Sequence, residues 1–225
     1  MKVLVFGATG MVGQGVLREC LIDPEVTSVL VVGRAGTGVR HDKLRELIHA
    51  DLFDLSAIDS ELSGYDSCFF CLGVSSAGMT EAQYTRVTYD LTMAAARVLA
   101  RLNPGMTLIY VSGAGTDSSE KGRSMWARVK GRTENELLRL PFKAAYMFRP
   151  GFIQPKNGIR SRTRLYRGLY AVMAPFYPIW KALAPGLVTT TTQVGLAMLK
   201  VAKRGAPKGV LENRDIVLLA TEGSG

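Results

Sequence analysis

Short apolar runs alternate along this chain with segments whose apolar residues recur every three or four positions. The first run, KVLVF at 2–6, is nearly continuous, the pattern of a parallel strand buried on both faces. Glycines follow, then Val12, Val16, Leu17 and Leu21 at helical spacing. Asp23-Pro24 closes that helix, because proline lacks an amide hydrogen and disfavours helix before it. The runs SVLVV (28–32), LIHA (47–50), SCFFCL (67–72), MTLIYV (106–111) and AAYMF (144–148) predict further strands. Between them, 80–102 lines up Tyr84, Val87, Leu91, Ala95, Val98 and Leu102 on one helical face. Thr80 and Gln83 are spaced for a capping box at its start. A second long helix, 124–140, is halted by Pro141. Near the end, 192–203 sets Val194, Ala197, Met198 and Val201 on one face, and 213–219 forms a last short element.

Regular alternation of strand and helix predicts an α/β fold, a Rossmann-type doubly wound parallel sheet with helices on both faces. The expected organisation is one domain, 1–225, with a cofactor-binding core over about 1–151. A small, mostly helical lobe over about 152–225 would cover the cleft. Within it, 165–188 is rich in aromatics and prolines, and Arg167, Lys181, Pro175, Pro178 and Pro185 break it up too often for a membrane span. Two readings of that stretch stand side by side: a cleft cover, or a peripheral membrane contact through 160–188.

Composition narrows the class. With 225 residues, 47% of them hydrophobic, the chain can bury one sizeable core. Its opening, MKVLVFGATG, lacks the apolar stretch and cleavage site of a signal peptide. The cysteines number three, Cys20, Cys68 and Cys71, and an odd count fits free thiols in a reducing compartment. The expected location is the cytoplasm. Cys68 and Cys71 spell CxxC within a strand, where residues three apart point to opposite faces, so buried strand cysteines are expected. His41 and His49 have no ligand pattern around them, and no metal site is expected. The net charge of +9 suits anionic ligands. No nucleic-acid-binding module accompanies it, so nucleic acid is not an expected partner.

The strongest local motif is Gly7-Ala8-Thr9-Gly10-Met11-Val12-Gly13, placed between the first strand and the first helix. Gly7 permits the tight turn, Gly10 lets the backbone approach a pyrophosphate, and Gly13 lets helix pack closely on strand. The helix amides and dipole then face the phosphates. The second strand ends in Val31-Val32-Gly33-Arg34, with no acid between Val29 and Arg40. An arginine there suits the 2′-phosphate of NADP, whereas an acid would bind the free ribose hydroxyls of NAD. NADP(H) is therefore expected in preference to NAD(H).

Taken together, GATGMVG, VVGR, HADLFD, CLG, YVSGAG and the helix carrying Lys130 resemble an atypical short-chain dehydrogenase/reductase, related to NAD(P)-dependent epimerases. VKGRTENELL, FRPG and VLEN resemble the branch of that family containing the Tat-interacting protein TIP30. The resemblance implies that Asp51 and Leu52 lie beside the adenine. It implies that Leu72, Gly73 and Val74 form the loop behind the adenine ribose. Thr9, Met11 and Val12 belong to the phosphate-binding turn. Pro150 and Gly151 flank the nicotinamide, and Lys130 bonds its ribose.

The family's hydride chemistry uses a tyrosine four residues before that lysine, on the same helical face. Here the position holds Trp126, whose indole has no usable acid near neutral pH. The family's working hydroxyl commonly sits at the second position after the strand valine, which here is Gly113. Either Ser112, one place early, turns inwards, or the hydroxyl is missing. Other candidate donors are Thr116, Ser124, Tyr84, Tyr89 and Tyr110, with Tyr110 reading more naturally as core. Trp126 either stacks on a planar ligand or packs the cleft wall. Two functions follow. One is an oxidoreductase or epimerase-like enzyme on an unidentified, apolar small molecule, with Lys130, Ser112 and Trp126 at its centre. The other is a non-catalytic NADP(H)-binding regulator or scaffold.

Overall fold

A computed structural model of the protein describes residues 1–159 and 188–222. A parallel sheet has the order β3-β2-β1-β4-β5-β6-β9. Its strands are β1 (Lys2–Phe6), β2 (Ser28–Gly33), β3 (Leu44–Ile48), β4 (Ser67–Phe70), β5 (Thr107–Val111), β6 (Ala144–Arg149) and β9 (Val210–Glu212). Every neighbouring pair is parallel, from Val5 opposite Val31 to Phe148 opposite Leu211. A small second sheet pairs β7 (Phe152–Gln154) with β8 (Val188–Thr190). The order reverses between β1 and β4, so the crevice beyond the carboxyl ends of those strands is where ligands bind in such sheets.

Strand alternation divides the core into two halves. Val3, Val5, Val29, Val31, Phe69, Ile109 and Phe148 face one side. There they meet α1 (Met11–Ile22), α5 (Thr191–Arg204) and α6 (Asn213–Thr221). Leu4, Phe6, Leu30, Cys68, Phe70, Leu108, Tyr110 and Met147 face the other. That side carries α3 (Leu91–Leu102), α4 (Met125–Arg139) and a 3-10 turn over Ser56–Leu62. Cys68 belongs to the second half and Cys71 packs against the first, so the CxxC pair does straddle the sheet.

Several expectations are refined. The third strand lies at Leu44–Ile48 rather than 47–50, and reads LRELI. It is an edge strand, half exposed, so its polar residues hid it from a search for apolar runs. The helix expected over 80–102 starts with the capping box: Gln83 N donates to Thr80 Oγ1 at 3.3 Å and Thr80 N to Gln83 Oε1 at 2.9 Å. It runs as α2 (Glu81–Thr85), a π-helical turn over Arg86–Asp90, then α3. The chain beyond Gly151 does not all leave the sheet. Helix α5 packs on α1 so closely that a Cβ on Gly15 would lie 2.7 Å from Thr191 and one on Gly195 2.7 Å from Glu19. Strand β9 then extends the sheet. The arginine cluster and aromatic stretch at 160–187, with the membrane-contact reading they carried, lie outside the described residues. No described helix is long and apolar enough to cross a membrane.

Candidate active site

The glycine turn is fixed by sterics. Gly7 has φ +79°, and a Cβ there would meet the Cys71 carbonyl and the Leu72 nitrogen at 2.7 Å. A Cβ on Gly13 would lie 2.1 Å from the Gly7 oxygen, so α1 can approach β1 this closely only with glycine. Gly10 N donates to Gly7 O at 2.9 Å. Gly10 caps α1 without any side-chain hydrogen bond, which leaves the first-turn amides of Met11, Val12 and Gly13 for an outside acceptor. This cradle fits the pyrophosphate of a dinucleotide. Beside it opens a cavity of about 350 Å³ lined by Gly7, Ala8, Thr9, residues 31–35, Leu52 and Leu72. Of the expected adenosine-side residues, Arg34, Leu52 and Leu72 line this cavity, whereas Asp51, Gly73 and Val74 are exposed and do not. Asp51 accepts from Phe53 N at 2.9 Å.

Arg34 is exposed at the cavity rim and makes no ion pair among the described residues. The acid of this corner, Glu46 on β3, accepts from Thr37 N at 2.7 Å and from the Thr37 hydroxyl. It braces the loop after Arg34 instead of standing at the end of β2.

The segment carrying Trp126 and Lys130 is α4, which begins after Ser124 and ends before Pro141. Gly131 lets it dock: a Cβ there would sit 1.8 Å from the Asp117 carbonyl. Trp126, Lys130 and Glu134 stand one turn apart on one face. The Trp126 ring packs against Gly115, 3.4 Å from where a Cβ would be, so the indole covers the loop that follows β5. Lys130 Nζ donates to the Ser112 carbonyl, while the Ser112 hydroxyl donates to Glu134. Ser112 therefore does turn inwards, but into the protein: its hydroxyl is engaged by a carboxylate and lies 3.1 Å from the Phe148 carbonyl. Burial pulls the Lys130 ammonium down to about 8, against the attraction of Glu134, which pulls it up.

Glu134 belongs to a network invisible to sequence reading. It is fully buried and paired with Arg149, whose Nε lies 3.1 and 3.2 Å from its two oxygens and whose Nη2 closes a further bond. Arg149 also donates to Ser118 and, at 3.1 Å, to Glu212. The next residues, Pro150 and Gly151, are held too: Ala114 N donates to Pro150 O at 2.9 Å, and Gly151 N to Asn213 Oδ1 at 2.8 Å. The motifs that carried the resemblance, VKGRTE, FRPG and VLEN, thus converge on one buried guanidinium. Of the other hydroxyl candidates, Tyr110 and Tyr84 are core residues. Thr116 donates to Gly113 O at 2.7 Å, and the Tyr89 ring lies 4.1 Å beneath the Arg132 guanidinium.

A glycine turn at the switch point of a parallel sheet is where dinucleotides bind in doubly wound folds. The profile of the NAD dependent epimerase/dehydratase family matches residues 3–122. The chain belongs to that family. Its NAD-binding fold is shared with the Bordetella bronchiseptica enzyme WbmF, solved in complex with NAD+. WbmF has a TM-score of 0.68 at 16% identity over 96% of this chain and 76% of its own. DesIV from Streptomyces venezuelae, a dTDP-glucose 4,6-dehydratase solved with NAD, gives 0.68 at 18% identity over 98% of this chain and 80% of its own. Among named relatives, protein HTATIP2 of Rattus norvegicus is 24% identical over 100% of this chain and 91% of its own length. The mitochondrial protein fmp52 of Emericella nidulans is 29% identical over 68% of this chain, a match spanning 66% of that relative. The short-chain dehydrogenase/reductase resemblance therefore stands. The cytoplasmic expectation does not: fungal relatives are named mitochondrial, and the reading from cysteine count and opening residues had no positive signal for any one compartment.

Proposed function

We propose that this protein is an NADP(H)-preferring oxidoreductase or epimerase-like enzyme acting on an unidentified apolar small molecule. The observation that carries the reading is Lys130 on α4, held by the Ser112 carbonyl in a chain that retains the glycine cradle. When bound, the cofactor supplies or accepts a hydride. The chain's residues do the rest. The α1 amides bind phosphate, Arg34 meets a 2′-phosphate, and Pro150-Gly151 abuts the nicotinamide. Lys130 bonds the ribose, Trp126 walls the substrate space, and Ser112 acts through its backbone and its bond to Glu134. NADP(H) preference is supported by Arg34 at the cavity rim and by Glu46 being tied to Thr37. Transfer of tritium from 4-labelled NADPH into a product tests the enzyme. Absence of transfer across a broad carbonyl panel, with NADPH binding intact, refutes it.

A second reading, a non-catalytic NADP(H)-binding regulator, is favoured by one observation: the tyrosine is replaced by Trp126, and the nearest serine hydroxyl is spent on Glu134. On that reading NADPH changes protease sensitivity around 155–190, and Lys130→Ala leaves NADPH binding unchanged.

A further inference from the structure

We propose that Lys130 is itself the proton donor of this cleft, taking over the task of the absent phenol; the assignment rests on the oxidoreductase reading above. The geometry leaves few alternatives among the described residues. Trp126 has only an indole N–H. The Ser112 hydroxyl is directed at Glu134, and Glu134 is saturated by Arg149 and Ser112. The Thr116 hydroxyl is bonded to Gly113 O at 2.7 Å, and an aliphatic hydroxyl such as Ser124 has no acidity near neutral pH. Tyr110 is in the core beside Thr133, with its phenol pushed further up by burial.

Lys130, by contrast, is held in place. Ser112 is gripped twice from α4, its carbonyl by Lys130 and its hydroxyl by Glu134 one turn later. Arg149 locks Glu134 from β6, and Ser118 and Glu212 lock Arg149. One of the three ammonium donors is used by Ser112 O, which leaves two for ligand. The desolvated ammonium, drawn to about 8, is protonated at neutral pH yet acidic enough to release the proton.

The step balances as follows. A substrate carbonyl carbon gains a hydride, two electrons and one proton, from C4 of the reduced nicotinamide. The C=O π pair moves to oxygen, which forms an O–H bond with a proton from Lys130 Nζ. The N–H pair stays on nitrogen as a neutral amine, and water returns the proton. An alcohol and the oxidised dinucleotide leave.

The experiment uses the full chain with NADPH and 9,10-phenanthrenequinone as the carbonyl probe. It compares wild type with Lys130→Arg and with Tyr166→Phe, Tyr170→Phe and Tyr177→Phe, whose positions lie outside the described residues. A parallel readout follows lysine Cε chemical shifts against pH in [ε-13C]lysine-labelled protein. The expected result is one resonance, missing in Lys130→Arg, that titrates near 8. Lys130→Arg should also bind NADPH with affinity of the same order but turn over at least about 100-fold more slowly, the scale of a lost general acid. A resonance titrating at the ordinary lysine value overturns the assignment. So does unchanged turnover in Lys130→Arg, or a collapse of turnover in one tyrosine variant instead. A wild type that binds NADPH and reduces no probe overturns the oxidoreductase reading itself, and the assignment with it. Low turnover in Lys130→Arg alone, with wild type active, cannot be confused with that outcome.

Discussion

The two halves of the proposed cleft are made from different materials. The nucleotide half is backbone: Gly7 and Gly13 serve by what they lack, and a single added carbon would collide at 2.7 Å or 2.1 Å with fixed main-chain atoms. The opposite half is side chain: Lys130 is placed by Ser112, Ser112 by Glu134, Glu134 by Arg149, and Arg149 by Ser118 and Glu212. A backbone site is local, contained in one turn and the start of one helix. A side-chain site is assembled from five separated segments and depends on all of them. That difference explains how the acid position can hold Trp126 while the cradle keeps its glycines. The cradle tolerates no change of shape, whereas the far half tolerates a change of chemistry provided that its scaffold of ion pairs stays closed.

Breaking that scaffold should have the largest effect. Glu134→Ala leaves Arg149 buried without its main partner, at a cost of about 3–5 kcal/mol, and should lower the denaturant midpoint sharply. Glu134→Gln, which keeps the shape and an acceptor, should lose less. Equal losses would mean that the charge is irrelevant.

In the other half, Gly13→Ala should cost about 1–3 kcal/mol through overpacking and lose most NADPH affinity by fluorescence titration. Gly73→Ala has no atom within 4 Å of the new carbon, so it should change neither. A tolerated Gly13→Ala would refute the steric account of the cradle.

Lys130 separates the halves by pH. Its folded pKa, about 8, lies below the ordinary 10.5. The unfolded state therefore binds more protons between those values, and wild-type stability gains with pH across that window. The penalty of burying the charge is fully present below about pH 8 and fades above it. Lys130→Met should be more stable than wild type at pH 7 by about 1–3 kcal/mol, with the gap shrinking by pH 9.5. A pH-independent difference in thermal midpoint would sink this.

The smallest effect belongs to the cavity rim. Arg34→Ala should weaken NADPH by about tenfold, the low end for a charge-assisted hydrogen bond, and leave NADH and stability unchanged. Equal losses for both cofactors would remove Arg34 from the 2′-phosphate.

The sequence by itself determined the strand–helix alternation, the glycine cradle, Arg34 at the end of the second strand and the Trp126–Lys130 spacing. All of these are short-range: one strand end, one turn, or residues four apart on one helix. Period and steric need are readable where cause and effect lie within a few residues. The sequence did contain Glu134, Arg149, Glu212 and Asn213, but only as letters of a resemblance. In α4 a glutamate looks like any solvent-facing residue, and nothing local says that it is buried. Its partner Arg149 stands fifteen positions on, and Glu212 another sixty-three. Only the parallel order, which sets β6 between β5 and β9, with α4 packed on one face of that sheet, brings those charges together. Only the tertiary structure decided that Ser112 turns to Glu134, because a buried carboxylate must be satisfied, and the serine directly after β5 is within its reach.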